Sequence, residues 1–110
     1  MKQIPDSISL TLRLTETMND YESIANARET YQLAQIQFIN TELDLGITFC
    51  QVAKATTISE TKTRNIKNAH LAFETAIEYL REAPIPISAR ELLLYKIHAL
   101  ETLLAECNES

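Results

Sequence analysis

Residues 6 to 83 contain no proline and one glycine, Gly46, so most of the chain lacks the residues that end helices and shape the tight turns of sheet proteins. That stretch predicts long helices, tightly joined, and an all-α class. The three prolines lie at its edges, at positions 5, 84 and 86. With 110 residues the chain is expected to form one helical domain, 1-110, burying roughly 65% of the surface it exposes when unfolded. Such a core folds without a disulfide or metal.

A pattern recurs within the stretch. Residues 24 to 38, IANARETYQLAQIQF, and 66 to 80, IKNAHLAFETAIEYL, share Ile-x-Asn-Ala-x-x-x-aromatic-x-x-Ala-x-x-x-(Phe/Leu), 42 residues apart. A repeat of this length predicts helical hairpins that bury their apolar faces against neighbours.

Three segments carry helical periodicity. From Asn19-Asp20 onward, Tyr21, Ile24, Ala27, Tyr31, Ala34 and Phe38 keep the three-then-four spacing of one buried helical face, continued by Leu45, Phe49, Val52 and Ala53. Asn40 or Thr41, with Asp44, could cap a second helix here; one unbroken helix to about residue 57 is the alternative. Thr57-x-x-Glu60 predicts a helix from about 58 to 60 up to Pro84, burying Ile66, Ala69, Phe73, Ala76, Ile77 and Leu80. Ser88-x-x-Glu91 predicts a last helix over about 88 to 107, burying Ala89, Leu93, Ile97, Leu100, Leu104 and Cys107. Residues 6 to 18 are ambiguous, because Ile8, Leu10, Leu12 and Leu14 alternate like a strand. Leu10, Leu14, Met18 and Tyr21 share one helical face, and a lone strand has no partner in a helical chain, so the helix is preferred.

Leu33, Ile36, Ile39, Leu43, Ile47 and Cys50 form a second apolar stripe beside the first. A surface helix needs only one such face, so the double stripe implies a central, covered helix or a partner; self-association is expected. Lys62, Arg64 and Lys67 open the helix after Thr57 and Glu74, Glu78 and Glu82 close it, mostly against the macrodipole preference. An antiparallel last helix would return Glu101, Glu106 and Glu109 to those cations and set Arg90 near Glu78 and Glu82.

A net charge of -5 disfavours nucleic acid and anionic membranes as partners. Neither a signal peptide nor a membrane span is indicated, so a cytoplasmic protein is expected. Cys50 and Cys107 read as small buried hydrophobes rather than as a disulfide or a metal motif. His70 and His98 lack ligand-spaced partners, and one glycine cannot build a phosphate-cradling loop, so no cofactor and no metal are expected. Glu74 and Glu78 read as a solvated helix surface.

The Ala-x-x-x-aromatic-x-x-Ala spacing, at Ala27, Tyr31, Ala34 and at Ala69, Phe73, Ala76, resembles the second helix of a tetratricopeptide repeat. In the first unit Leu14 and Met18 take the preceding helix's positions, and Met18 to Ala27 keeps the family's separation of nine residues. In the second, Leu45-Gly46-x-x-Phe49 resembles the Leu-Gly-x-x-Tyr core, though Phe49 to Ala69 spans 20 residues. The resemblance covers residues 11 to 84 and implies a non-enzymatic protein-interaction module whose groove takes a protein or peptide partner. Leu12, Glu16, Leu43 and Ile47 occupy the groove positions, which does not suggest a carboxylate clamp. A plain four-helix bundle, an elongated three-helix bundle, or a structural homodimer of long helices fits the same periodicity.

Arg64-Asn65-x-x-x-x-His70 resembles the Arg-x(4-6)-His motif of the higher-eukaryote-and-prokaryote nucleotide-binding (HEPN) helical domains, many of them ribonucleases. That resemblance implies His70 in general acid/base work and Arg64 stabilising phosphate charge. Six residues of one helix set the two side chains about 120° apart unless the helix begins after Arg64.

Overall fold

A computed structural model describes the backbone of residues 6–109 and the side chains of residues 22–108. Three α-helices follow one another, α1 (Asp6–Ala55), α2 (Ser59–Glu82) and α3 (Ile87–Glu109), and no strand occurs among the described residues. The all-α class is therefore observed. Residues 6 to 18 are helical, as preferred; the stripe proposed there from Leu10 to Tyr21 lies outside the described side chains. The chain divides into two compact units, one ending at Tyr31 and one beginning at Gln32. In the first, every described side chain, Glu22 to Tyr31, is exposed.

Of the two readings of α1, the single unbroken helix is observed, ending at Ala55, and no turn forms within it. A tetratricopeptide hairpin would turn between Met18 and Ala27, and α1 runs through both that point and the Asn40-Thr41 cap. Nothing there breaks a helix: no proline or glycine interrupts 19 to 41, and Asn40 turns its amide forward to Asp44 instead of capping. The described residues give no evidence of tetratricopeptide repeats.

In the second unit, α1 from Gln32, α2 and α3 pack as an up-down-up bundle. Phe38 meets Tyr79 with ring centroids 4.7 Å apart, and Gly46 lies against Ala72, so α1 and α2 run antiparallel. Asp44 pairs with Lys96 and Lys54 with Glu106, so α1 and α3 run parallel. The buried positions follow the four- and three-residue spacings of packed helices: Ile39, Leu43, Gly46, Cys50, Ala53 on α1; Asn65, Ala69, Ala72, Ala76, Leu80 on α2; Leu93, Ile97, Leu100, Leu104, Cys107 on α3. The core is asymmetric in size. The buried residues of α2 are mostly alanines, with Ala72 against Gly46, while those of α3 are mostly leucines, with Ile97. A Cβ on Gly46 would stand 2.6 Å from Leu100 Cδ2, so the backbone of α1 comes close to α3 only because this residue has no side chain.

The expected core of α3 is buried apart from half-buried Ala89. In α2, Ile66, Phe73 and Ile77 are half-buried at the edge of the core, not within it, while Ala69, Ala72 and Ala76 are buried. On α1 the core takes Ile39, Leu43 and Cys50 of the second stripe, with Ala53 of the first, while Phe38, Leu45 and Val52 of the first and Leu33 of the second are exposed.

The caps also differ from expectation. Ile58 is the N-cap of α2, with no side-chain cap bond, and its N–H donates to Thr56 Oγ1 at 3.2 Å, so Thr57 makes no capping box. α2 ends at Glu82, with Ala83 in an extended conformation before Pro84. α3 starts one residue earlier than its presumed cap, with the Arg90 N–H bonding the Pro86 carbonyl, which leaves Ser88 inside the first turn. Among the described residues no ion pair joins α2 to α3. Glu106 goes to Lys54 of α1, and Arg90 donates to the Leu80 carbonyl at 3.4 Å, not to Glu78 or Glu82.

Candidate interaction surface

Helix α1 buries one face and leaves a second apolar face uncovered. Within the second unit, Phe38, Leu45 and Val52 recur every seven residues and are 39%, 42% and 41% exposed. Between them, Ala34, Thr41 and Thr48 are exposed and small. Large and small residues alternating at a period of seven form a seam of the kind a second helix packs into. On α2, Tyr79 touches Phe38 and is itself exposed, as is Leu71. In the first unit, Ile24, Ala27 and Tyr31 are exposed, and in sequence they carry the same seven-residue spacing back along α1.

These residues were visible in the sequence as the first stripe, but assigned inward. Their strict period of seven was the available signal. Buried faces on this helix also repeat by four and three, so spacing alone does not rank the two. Leu71 and Tyr79 escaped notice because they lie outside the apolar pattern of α2.

The remaining candidates do not assemble a reactive centre. Arg64 and His70 both lie inside α2, which starts at Ser59, so the condition that would have aligned them is absent. Arg64 is exposed, His70 half-buried, and Asn65 between them is buried, its Nδ2 donating to the Thr61 carbonyl at 2.7 Å. A shallow hollow of about 530 Å³ on α2 is lined by Phe73, Glu74, Ile77, Glu78, Arg81 and Glu82 and includes neither Arg64 nor His70. No group of three or more potential metal ligands occurs among the described residues.

Cys50 and Cys107 are buried thiols not joined in a disulfide, and they meet between α1 and α3, where Cys107 Sγ donates to the Cys50 carbonyl at 3.7 Å. Burial, reinforced by the neighbouring Cys107, pushes the Cys50 thiol up to about 12, so it stays protonated and unreactive near neutrality. Both cysteines serve as small core residues, as the sequence suggested.

No family model, no curated protein and no solved structure matches this chain. None of the described helices is long and apolar enough to cross a membrane.

Proposed function

We propose that this protein is a non-enzymatic helical interaction module that acts by self-association through the outward face of α1. The observation that carries the reading is the exposure of Phe38, Leu45 and Val52 at heptad spacing on a helix whose opposite face is already fully used in the core. A helix that needs one apolar face to fold has no folding reason for a second. Tyr79 of α2, exposed and in contact with Phe38, extends the apolar area beside it.

Sedimentation equilibrium over a broad concentration range tests the reading. A concentration-dependent dimer is expected, weakened in Leu45→Ser; a monomer at every concentration overturns it. Incubating the protein and its His70→Ala variant with a labelled RNA pool tests the ribonuclease alternative. Cleavage lost in the variant would replace the interaction reading with that one.

A further inference from the structure

We infer that the outward face of α2 binds a second copy of the chain, with the two α2 helices antiparallel about a two-fold axis at Leu71 and Arg64 of each copy paired with the partner's Glu78. This contact lies on a different helix from the one proposed for α1 and goes beyond it. All of its residues belong to one helix of the second unit, Ser59–Glu82.

The face is a single stripe. Glu60, Arg64, Lys67, Leu71, Glu74, Glu78 and Arg81 follow one another in steps of four and three residues, and all of them are exposed. They therefore share one side of α2, opposite the buried Asn65, Ala69, Ala72 and Ala76. Along the stripe the charges run negative, positive, positive, then Leu71, then negative, negative, positive. Read from the other end, every sign is reversed. A stripe with that symmetry is complementary to a reversed copy of itself, whereas in a parallel pair each charge would meet its own kind.

The chain leaves these charges unmet. Among the described residues, none of Arg64, Lys67, Glu74 and Glu78 belongs to an ion pair. Their order within α2 is also unfavourable. Like charges neighbour each other, Lys67 three residues after Arg64 and Glu78 four after Glu74, and cations near the N-terminus with carboxylates near the C-terminus oppose the helix dipole. A face that only had to be solvated would gain from the opposite order.

An antiparallel copy relieves these conflicts together. Arg64 lies opposite the partner's Glu78, Lys67 beside the partner's Glu74 and Glu60 beside the partner's Arg81, each pair occurring twice about the axis. Leu71 meets the partner's Leu71 at the centre. Exposed pairs are individually weak, but here every pair favours one direction and one alignment. Sliding the partner by seven residues replaces the leucine facing Leu71 by the partner's Glu78 in one direction and by the partner's Arg64 in the other. The shallow hollow on α2 then receives the partner's Arg64. Its lining combines Phe73 and Ile77 with Glu74, Glu78 and Glu82, which suits an arginine whose alkyl stem covers apolar surface while its guanidinium meets carboxylates.

Exchanging the two charges tests the contact. In sedimentation equilibrium, Arg64→Glu sets two pairs of carboxylates together and Glu78→Arg two pairs of guanidiniums, so each alone should associate about tenfold more weakly. Arg64→Glu and Glu78→Arg in the same chain keep the wild-type net charge, restore both opposite pairs and should recover the wild-type affinity. Single variants that associate like wild type, or a double variant that fails to recover, overturn the inference. Leu45→Ser separates it from the α1 reading. If Leu45→Ser weakens association and the charge variants do not, this contact falls and that of α1 stands; the reverse pattern upholds this contact and removes that of α1. A monomer at every concentration removes both.

Discussion

The same sequence pattern occurs twice and meets opposite fates. In α2, Ala69, Ala76 and Leu80 are buried against α1 and α3, with Phe73 packed at the edge of that core. In α1, the equivalent Ala27, Tyr31, Ala34 and Phe38 are all exposed. An Ala-aromatic-Ala face therefore prepares a helix for close packing without stating what packs on it. In α2 the partner lies in the same chain, and for α1 we propose that it lies in another.

Several measurements would break or sharpen this contrast. The largest effect is expected where the inward faces converge. Leu100→Ala, at a fully buried residue against Gly46, should lower the unfolding free energy by about 3 kcal/mol in urea titrations. A loss below about 1 kcal/mol would mean the α1–α3 contact is not the centre of the fold. Gly46→Val comes next. Its branched side chain would meet Leu100 where even a Cβ stands 2.6 Å away, and a loss of about 2 kcal/mol is expected despite the gain in helix propensity.

The inward face should also show in the pH dependence of stability. Cys50 ionises near 12 in the fold, because of burial and Cys107, but near 8.5 when unfolded, so only the unfolded chain loses the proton between those values. Stability should be flat in this respect below about pH 8 and fall above it, by about 2 kcal/mol near pH 10, and Cys50→Ala should remove that part of the slope. A slope unchanged in Cys50→Ala would show that the thiol is not held in a dry core. The smallest effect on folding is expected on the outward face. Leu45→Ser should change the stability of the dilute monomer by no more than about 0.5 kcal/mol while weakening association. If it destabilises the monomer as Leu100→Ala does, the two faces do not differ as described.

Much of the fold could be read from residues. The absence of proline and the scarcity of glycine over 6 to 83 gave long helices, and Pro84 and Pro86 placed the break before α3. The inward face of α3 was legible because its leucines, Ile97 and Cys107 form a well-defined stripe. On α1 two stripes compete at the same three-and-four spacing, which does not say that Ile39, Leu43 and Cys50 are buried and Phe38, Leu45 and Val52 exposed. Part of the inward face carries little hydrophobic signal, because Gly46, which lies against Ala72 and Leu100, contributes close approach rather than a side chain. The expected ion pairs failed for a related reason. Exposed charges contribute too little to choose a packing order, so Glu106 took the nearby lysine of α1 after the apolar contacts had set the helices in place.

The duplicated pattern and the unbroken run thus determined, by local chemistry alone, that this chain makes long amphipathic helices and where α2 ends. Tertiary structure decided which face of α1 is covered. Covering a face depends on the shape of what meets it, and the fit of Leu100 over the bare backbone of Gly46 is a relation between residues far apart in sequence. By settling that contact on one side of α1, the fold left Phe38, Leu45 and Val52 on the other, open to a partner.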